Sequence, residues 1–292
     1  MAELMHTLGH VLLHAAKDTA LVLPFLFLTY ALMELLEHRA GERVLGAVRR
    51  AGKAGPLIGA ALGLLPQCGF SAAAAGLFAG RVVTFGTLLA VFLSTSDEMI
   101  AVFLGAGLPP RVILVTLAAK FAVAALLGFL ADILLRKRQA AMQVEELCEV
   151  EGCHCEEGGV LRSALHHTLH IAAFVFAVNL LLGGALEFVG AEKIASLLEG
   201  VPVLSQCVAA LVGLIPNCAA SVAVATLYAK GVLSAGAMLA GLLTGAGAGL
   251  LVLFRTNRHL KENLIFVGVL FLVSVFVGCL FDYTGLAALI GL

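Results

Sequence analysis

The stretch Gly63-Leu64-Leu65-Pro66-Gln67-Cys68-Gly69-Phe70-Ser71 decides how the chain folds, because it interrupts an apolar segment with a proline, an amide, a thiol and a hydroxyl. A second copy begins at residue 213 with no gap in between, as Gly213-Leu214-Ile215-Pro216-Asn217-Cys218-Ala219-Ala220-Ser221. In a membrane, such a segment is a poor continuous helix and a good place to hold something polar. We therefore expect the functional site at this pair of breaks.

The composition surrounding these copies is that of an integral membrane protein. Hydrophobic residues make up 61% of the chain and charged residues 13%, and the mean hydropathy is +1.05. A soluble domain with so few charges could not cover its surface. The 292 residues leave room for about eight to ten spans of about 20 residues. The net charge of -1 argues against a nucleic-acid partner, and the N-terminus lacks the pattern of a cleaved secretory signal.

The two copies belong to a longer internal repeat. Between 63–104 and 213–254, about a third of the positions are identical without a gap. The linker 38–54 is basic, whereas its counterpart 189–202 is acidic. Conversely, 105–110 carries no charge and its counterpart in the second repeat is strongly basic. Because basic linkers stay in the cytoplasm, this exchange predicts repeats of inverted topology.

The sequence thus predicts an all-α polytopic membrane protein of two inverted-topology repeats with about five segments each. A span, a re-entrant hairpin and two further spans in each half give an odd number of crossings. The divisions are a first membrane half 1–138, a cytoplasmic Cys/His/acidic loop 139–160 and a second membrane half 161–292, with the N-terminus outside. A parallel four-plus-four arrangement is the alternative, and it places one basic linker on the wrong side.

The two repeated tips are the first candidate binding residues. Cys68 and Cys218 occupy equivalent positions after a proline, where a thiolate is a soft ligand for thiophilic metals and metalloids. The alternative is that cysteine packs there as a small apolar residue. Neutral hydrogen-bonding groups from both copies would complete a substrate site. The candidate set is Pro66, Gln67, Cys68, Ser71, Pro216, Asn217, Cys218 and Ser221.

A second candidate set is the polar interruption from Ser94 to Glu98. An ionisable group at membrane depth is costly, so it suggests a function. Its counterpart, residues 244–248, keeps a hydroxyl but has no acid. We expect Asp97 or Glu98 to couple protons or bind a cation, and the alternative is a structural ion pair with Lys120. The coupling candidates are Ser94, Thr95, Ser96, Asp97, Glu98 and Lys120.

The central loop is the third candidate. Cys148, Cys153, His154 and Cys155 stand among glutamates in a polar stretch. Their spacing is not that of a structural zinc site, but thiols and an imidazole on the reducing side of a membrane suit a scavenger of soft metal ions. A plain solvated linker is the alternative. The seven cysteines of the chain do not form a disulfide scaffold pattern.

Taken together, these motifs resemble the ten-span heavy-metal exporter family, whose members are labelled arsenic efflux proteins or manganese transporters. The resemblance runs over nearly the whole chain and is carried by LPFLFLTYALMELLEH, GLLPQCGFS, LSTSDEMI, GLIPNCAAS and the Cys/His loop. It implies functional roles for Pro66, Gln67, Cys68, Ser94, Thr95, Ser96, Asp97, Glu98, Pro216, Asn217 and Cys218.

We therefore expect a secondary transporter of the inner membrane that exports a metal ion or metalloid, coupled to protons. No Walker-type motif is present, so an ion gradient or a partner ATPase would supply the energy. The metal is the substrate and no cofactor is expected. The expected partners are the lipid bilayer and, as an open question, a second copy of the chain. The alternatives are a transporter of small organic solutes, a membrane metal sensor, or an intramembrane enzyme, which is disfavoured because no histidine at membrane depth could activate Cys68 or Cys218.

Overall fold

A computed structural model gives the fold, and its regular structure is entirely helical over the residues that it describes. The first half contains α1 Gly55–Gly63, α2 Gly69–Ala79, α3 Phe85–Ser94, α4 Met99–Gly105 and α5 Pro110–Gln139. The second half contains α6 Pro202–Gly213, α7 Cys218–Ala229, α8 Ala235–Thr244, α9 Gly249–Thr256 and α10 Leu260–Tyr283. The described residues are 9, 11–13, 15–17, 19–20, 23–24, 27–28, 31, 54–66, 69–96, 99–139, 164–166, 168–177, 180–181 and 202–286.

Within these ranges, four apolar segments are long enough to cross a membrane. Two of them, Phe85–Gly105 and Ala235–Thr256, combine two short helices across a break, and the other two belong to α5 and α10. By contrast, α1, α2, α6 and α7 have 9 to 12 residues and reach only about 14–18 Å, about half of the hydrocarbon thickness. The predicted all-α polytopic membrane fold is confirmed.

The short helices form hairpins that enter the protein and return to the same end. A Cβ on Gly55 would meet Thr87 at the start of α3, and a Cβ on Gly63 would meet Ser94 at its end. Therefore α1 and α3 run parallel. Helix α2, which connects them in the chain, must run in the opposite direction. In the second half, a Cβ on Gly213 would likewise meet Thr244 at the end of α8.

Two aspartates at equivalent positions join the last helix of each half to the start of the third helix of that half. Asp132 on α5 accepts hydrogen bonds from Gly86 N at 2.8 Å and Thr84 Oγ1 at 2.7 Å. Asp282 on α10 accepts the corresponding bonds from Gly236 N at 2.8 Å and Ser234 Oγ at 2.7 Å, and a third from Gln206 Nε2 at 2.6 Å. A carboxylate satisfies the free N–H groups at a helix N-terminus, so each aspartate caps the third helix of its own half.

Small residues allow the backbones to come close beside these caps. A Cβ on Gly128 would lie 2.7 Å from Gly86 O, and a Cβ on Gly278 would lie 2.5 Å from Gly236 O. Helices in membranes pack through such small residues because lipid provides no hydrophobic drive between them. The same packing thus occurs in both halves at equivalent positions.

The two halves interlock rather than sitting side by side. Helix α2 packs against α9, α7 packs against α4, and α3 crosses α8. The rings of Phe85 and Phe92 on α3 meet Phe266 on α10 edge-on, with centroids 5.3 and 5.1 Å apart. Phe103 on α4 meets Tyr228 on α7 at 5.7 Å. The buried core therefore lies between the halves, around the centres of α3 and α8.

Candidate functional site

The candidate site is built around two helix breaks, of which one begins at Thr95 and the other comprises residues 245–248. Each interrupts an apolar span near its middle, between α3 and α4 and between α8 and α9. The last turn of a helix leaves carbonyl groups without partners, and lipid cannot satisfy them. Ser94, Thr95, Ser96 and Thr244 are at most 3% exposed. The breaks thus bring main-chain polar groups into the interior at membrane depth.

Hydroxyl groups at both breaks donate hydrogen bonds to carbonyl groups near these helix ends. In the first half, Ser94 Oγ lies 2.8 Å from Ala90 O, Thr95 Oγ1 lies 2.7 Å from Val91 O, and Ser96 Oγ lies 2.9 Å from Ser94 O. In the second half, Thr244 Oγ1 lies 3.0 Å from Gly241 O and 2.9 Å from Ala210 O on α6. Serine and threonine side chains often donate to the carbonyl three or four residues earlier, and such bonds compete with the helix and often bend it.

Lys120 supplies a charge to the same place. Its side chain is fully buried, and Nζ donates to Thr95 O and, at 2.7 Å, to Leu242 O. One carbonyl belongs to the first break and the other to the last turn of α8. The equivalent residue of the second half is Leu270, which is also fully buried. The site is therefore asymmetric: it has a buried lysine on one side and a leucine on the other.

The hairpin tips lie against the second break. Ser71 Oγ at the start of α2 donates to Ala246 O at 2.9 Å. A Cβ on Gly245 would lie 3.1 Å from Ser221 Oγ of α7. The two serines therefore contact neighbouring residues of one break, so the structure brings together polar groups that are 150 positions apart in sequence.

The residues before these serines shape the tips. Asn217 is buried, and its Oδ1 accepts from Ala219 N at 2.8 Å, so it is the N-cap of α7. Cys218 begins that helix and is partly buried, as is Pro216, whereas Pro66 in the first tip is exposed. Asn217 thus holds the second tip in the extended conformation that starts a helix.

Several predicted residues lie outside the part of the chain that the structure describes. Among the described residues, no group of three or more histidine, cysteine, aspartate or glutamate side chains is arranged to hold a metal ion. The predicted residues outside the described ranges are Gln67, Cys68, Asp97, Glu98, Cys148, Cys153, His154 and Cys155. Their roles stay predictions.

The sequence reasoning missed two sets of polar contacts. One is the pair of aspartate caps, which the recurrence of Asp132 and Asp282 at equivalent repeat positions could have indicated. The other is an ion pair between the halves, from Arg81 Nη1 to Glu262 Oε2 at 2.8 Å. No signal in the sequence points to it, because the equivalent positions Gly231 and Val112 are uncharged.

The fold and the broken spans define a polytopic membrane protein with a polar interior site formed by both halves. Residues 7–167, just over half of the chain, match the family described as "putative, 10TM heavy-metal exporter". The chain belongs to this family, so the predicted family is confirmed, together with a general role in metal transport. No curated protein and no solved structure gave a significant match.

Proposed function

We propose that the protein is a secondary transporter that exports a metal ion or metalloid across the inner membrane by alternating access. The observation that carries this proposal is the meeting of both hairpin tips and both helix breaks at one buried place, as seen in the contacts Ser71–Ala246 and Lys120–Leu242. Broken helices at the interface of two repeats are the usual construction of a substrate site in secondary transporters. The family assignment supports the heavy-metal class.

The inverted arrangement of the halves is supported by contacts between them. Arg81, which follows α2, reaches Glu262 in the first turn of α10. At the other end of the core, Phe103 of α4 meets Tyr228 near the end of α7. The end of the first hairpin thus lies beside the connection between α9 and α10, and the end of the second hairpin lies beside the connection between α4 and α5. These contacts favour opposite orientations of the two halves in the membrane. In a parallel four-plus-four arrangement, residues 81 and 262 would lie on opposite sides of the membrane.

The substrate site would use the tips as its ligands. Cys68 and Cys218 would bind through sulfur, which selects thiophilic ions and trivalent arsenic over hard cations such as manganese. Gln67 and the hydroxyls of Ser71 and Ser221 would add neutral hydrogen bonds, which suit a hydroxylated metalloid. Arsenite and soft divalent metals are therefore the preferred substrates, and manganese is the less favoured one.

Coupling to protons would depend on the first break alone. Asp97 and Glu98 have glycine and alanine as counterparts, Gly247 and Ala248, so acids stand on one side of the site. A carboxylate that holds a proton in one conformation and releases it in the other would exchange protons for substrate. The central loop, with Cys148, Cys153, His154 and Cys155, would collect metal on the cytoplasmic side.

The experiment measures uptake of external arsenite, cadmium, zinc or manganese into inside-out proteoliposomes, with and without a pH gradient. The wild type should accumulate arsenite or a soft metal only when the interior of the vesicles is more acidic than the outside. Asp97→Asn should abolish the dependence on pH, whereas Asp97→Glu should retain part of it. Wild-type flux in Asp97→Asn would refute coupling at this residue, and absence of flux for every ion tested would refute metal export.

A further inference from the structure

Two main-chain carbonyls from different halves of the protein accept hydrogen bonds from Lys120 Nζ. Nζ donates to Thr95 O, just past the end of α3, and to Leu242 O in the last turn of α8, at 2.7 Å. The C-terminal end of a helix carries a partial negative charge, so two such ends aimed at one point favour a positive ion there. The ammonium is fully buried, and these two hydrogen bonds help to compensate the cost of burying its charge.

In transporters with broken helices, carbonyls of unwound segments and helix C-termini coordinate the coupling cation. Here a lysine side chain reaches the position that a free cation would take. It joins the halves as well, because Thr95 and Leu242 belong to different repeats. At the equivalent place of the second half, Leu270 provides no charge.

We propose that the Lys120 ammonium is a tethered cation in an ion site formed by the carbonyls of Thr95 and Leu242, and that this site accepts a small free ammonium ion when the side chain is removed. The binding part of this inference stands on the contacts alone. Its meaning for transport, that the wild type needs no free alkali cation at this place, rests on the proposed function.

The test is thermal unfolding of the purified full-length protein with added cations. Lys120→Ala leaves a space the length of propylamine, so n-propylammonium is the matching probe, and choline at equal concentration controls for ionic strength. At about ten times the dissociation constant, n-propylammonium should raise the Tm of Lys120→Ala by about 2–4 °C. The wild type, in which the site is filled, should not respond.

Two control variants separate a cation site from a mere cavity. Leu270→Ala opens an apolar cavity at the equivalent position of the second half and should not respond to n-propylammonium. Lys120→Met keeps the shape without the charge and should be less stable than the wild type, again without a response. An equal response of Leu270→Ala, or none in folded Lys120→Ala, would overturn the inference.

If Lys120→Ala cannot be purified in folded form, n-propylammonium added during purification should recover it and choline should not. Recovery by neither would count against the inference. A positive result in this binding experiment together with absent metal flux would reject the proposed function and leave the cation site standing, so the two can fail separately.

Discussion

Arg81 and Glu262 form an ion pair across the two halves, with 2.8 Å between Nη1 and Oε2, although they are 181 positions apart in the chain. The Arg81 side chain is 4% exposed and its guanidinium also lies over the Phe78 ring, 5.5 Å from the centroid. Arg81 has a φ of 60°, in the left-handed region, where its counterpart in the second repeat is Gly231 with a φ of 73°. A non-glycine residue there costs about 1–3 kcal/mol, so the contacts of the side chain must offset local strain.

The first prediction concerns this pair. In a double-mutant cycle of Arg81→Gln and Glu262→Gln, we expect a coupling free energy of about 1–3 kcal/mol, since the arginine is buried and the glutamate is partly exposed. The measurement is thermal unfolding of the four proteins in detergent. Lys261→Gln, which removes an exposed charge next to Glu262, should change the stability by less than about 0.5 kcal/mol. A coupling energy near zero would show that the two side chains do not stabilise each other.

The second prediction concerns orientation in the membrane. Lys230 and Arg258 are exposed residues in the connections that follow α7 and α9. With the native cysteines replaced, Lys230→Cys should react with an impermeant maleimide only from outside, and Arg258→Cys only after the inner face is opened. Fusion reporters should in addition place the loop 139–160 in the cytoplasm. The opposite pattern, with Lys230→Cys labelled only from inside and Arg258→Cys only from outside, would be incompatible with inverted repeats.

The third prediction tests the contact between a hairpin tip and the opposite half. A Cβ on Gly249 would lie 2.7 Å from Ser71 Cβ and 3.0 Å from Phe92 Cζ. Gly249→Ala should therefore destabilise the protein by about 1–3 kcal/mol through overpacking. Gly268→Ala on α10 meets nothing within 4 Å and should be neutral or slightly stabilising because alanine favours a helix. Equal stability of both variants in thermal unfolding would contradict the close approach of α2 and α9.

The fourth prediction distinguishes structural acids from coupling acids. Asp132→Ala and Asp282→Ala should each lower the free energy of unfolding by about 2–4 kcal/mol, since each leaves buried or partly buried donors without their acceptor. For Asp282 the loss should include the hydrogen bond from Gln206 on α6, in addition to those from Ser234 and Gly236. The folded fraction of either variant should retain its dependence on a pH gradient. A variant of normal stability that transports without coupling would instead assign the aspartate to the proton path.

The fifth prediction concerns the central loop. Deleting residues 148–155 should reduce metal tolerance of cells only modestly, because a scavenger raises the local metal concentration without forming the transport path. The readout is growth on a metal series beside flux in proteoliposomes, where the deletion should leave the rate unchanged. Complete loss of flux in a folded protein would make the loop part of the path.

The sequence by itself determined the membrane class, the all-helical fold and the short apolar segments on either side of Pro66 and Pro216. These are local properties: apolar length, proline, glycine and clustered hydroxyls act within a few residues, and the repeat reveals them twice. The short hairpins around Pro66 and Pro216 and the polar interruption that begins at Ser94 follow from such signals, and the structure separates short helices at both prolines and ends α3 at Ser94.

The tertiary structure decided which side chains share a site. The sequence makes Lys120 a candidate ion-pair partner for the nearby acids, which stays a prediction, whereas its bonds to Thr95 and Leu242 depend on α3 and α8 crossing. The same holds for Arg81 and Glu262, and for Ser71 and Ala246. Periodicity and composition describe one segment at a time, whereas these contacts arise from how two repeats interlock, and their partners are main-chain carbonyls or residues that the repeat does not share. The physical reason is that a buried polar group takes whichever partner the packing brings within hydrogen-bond distance.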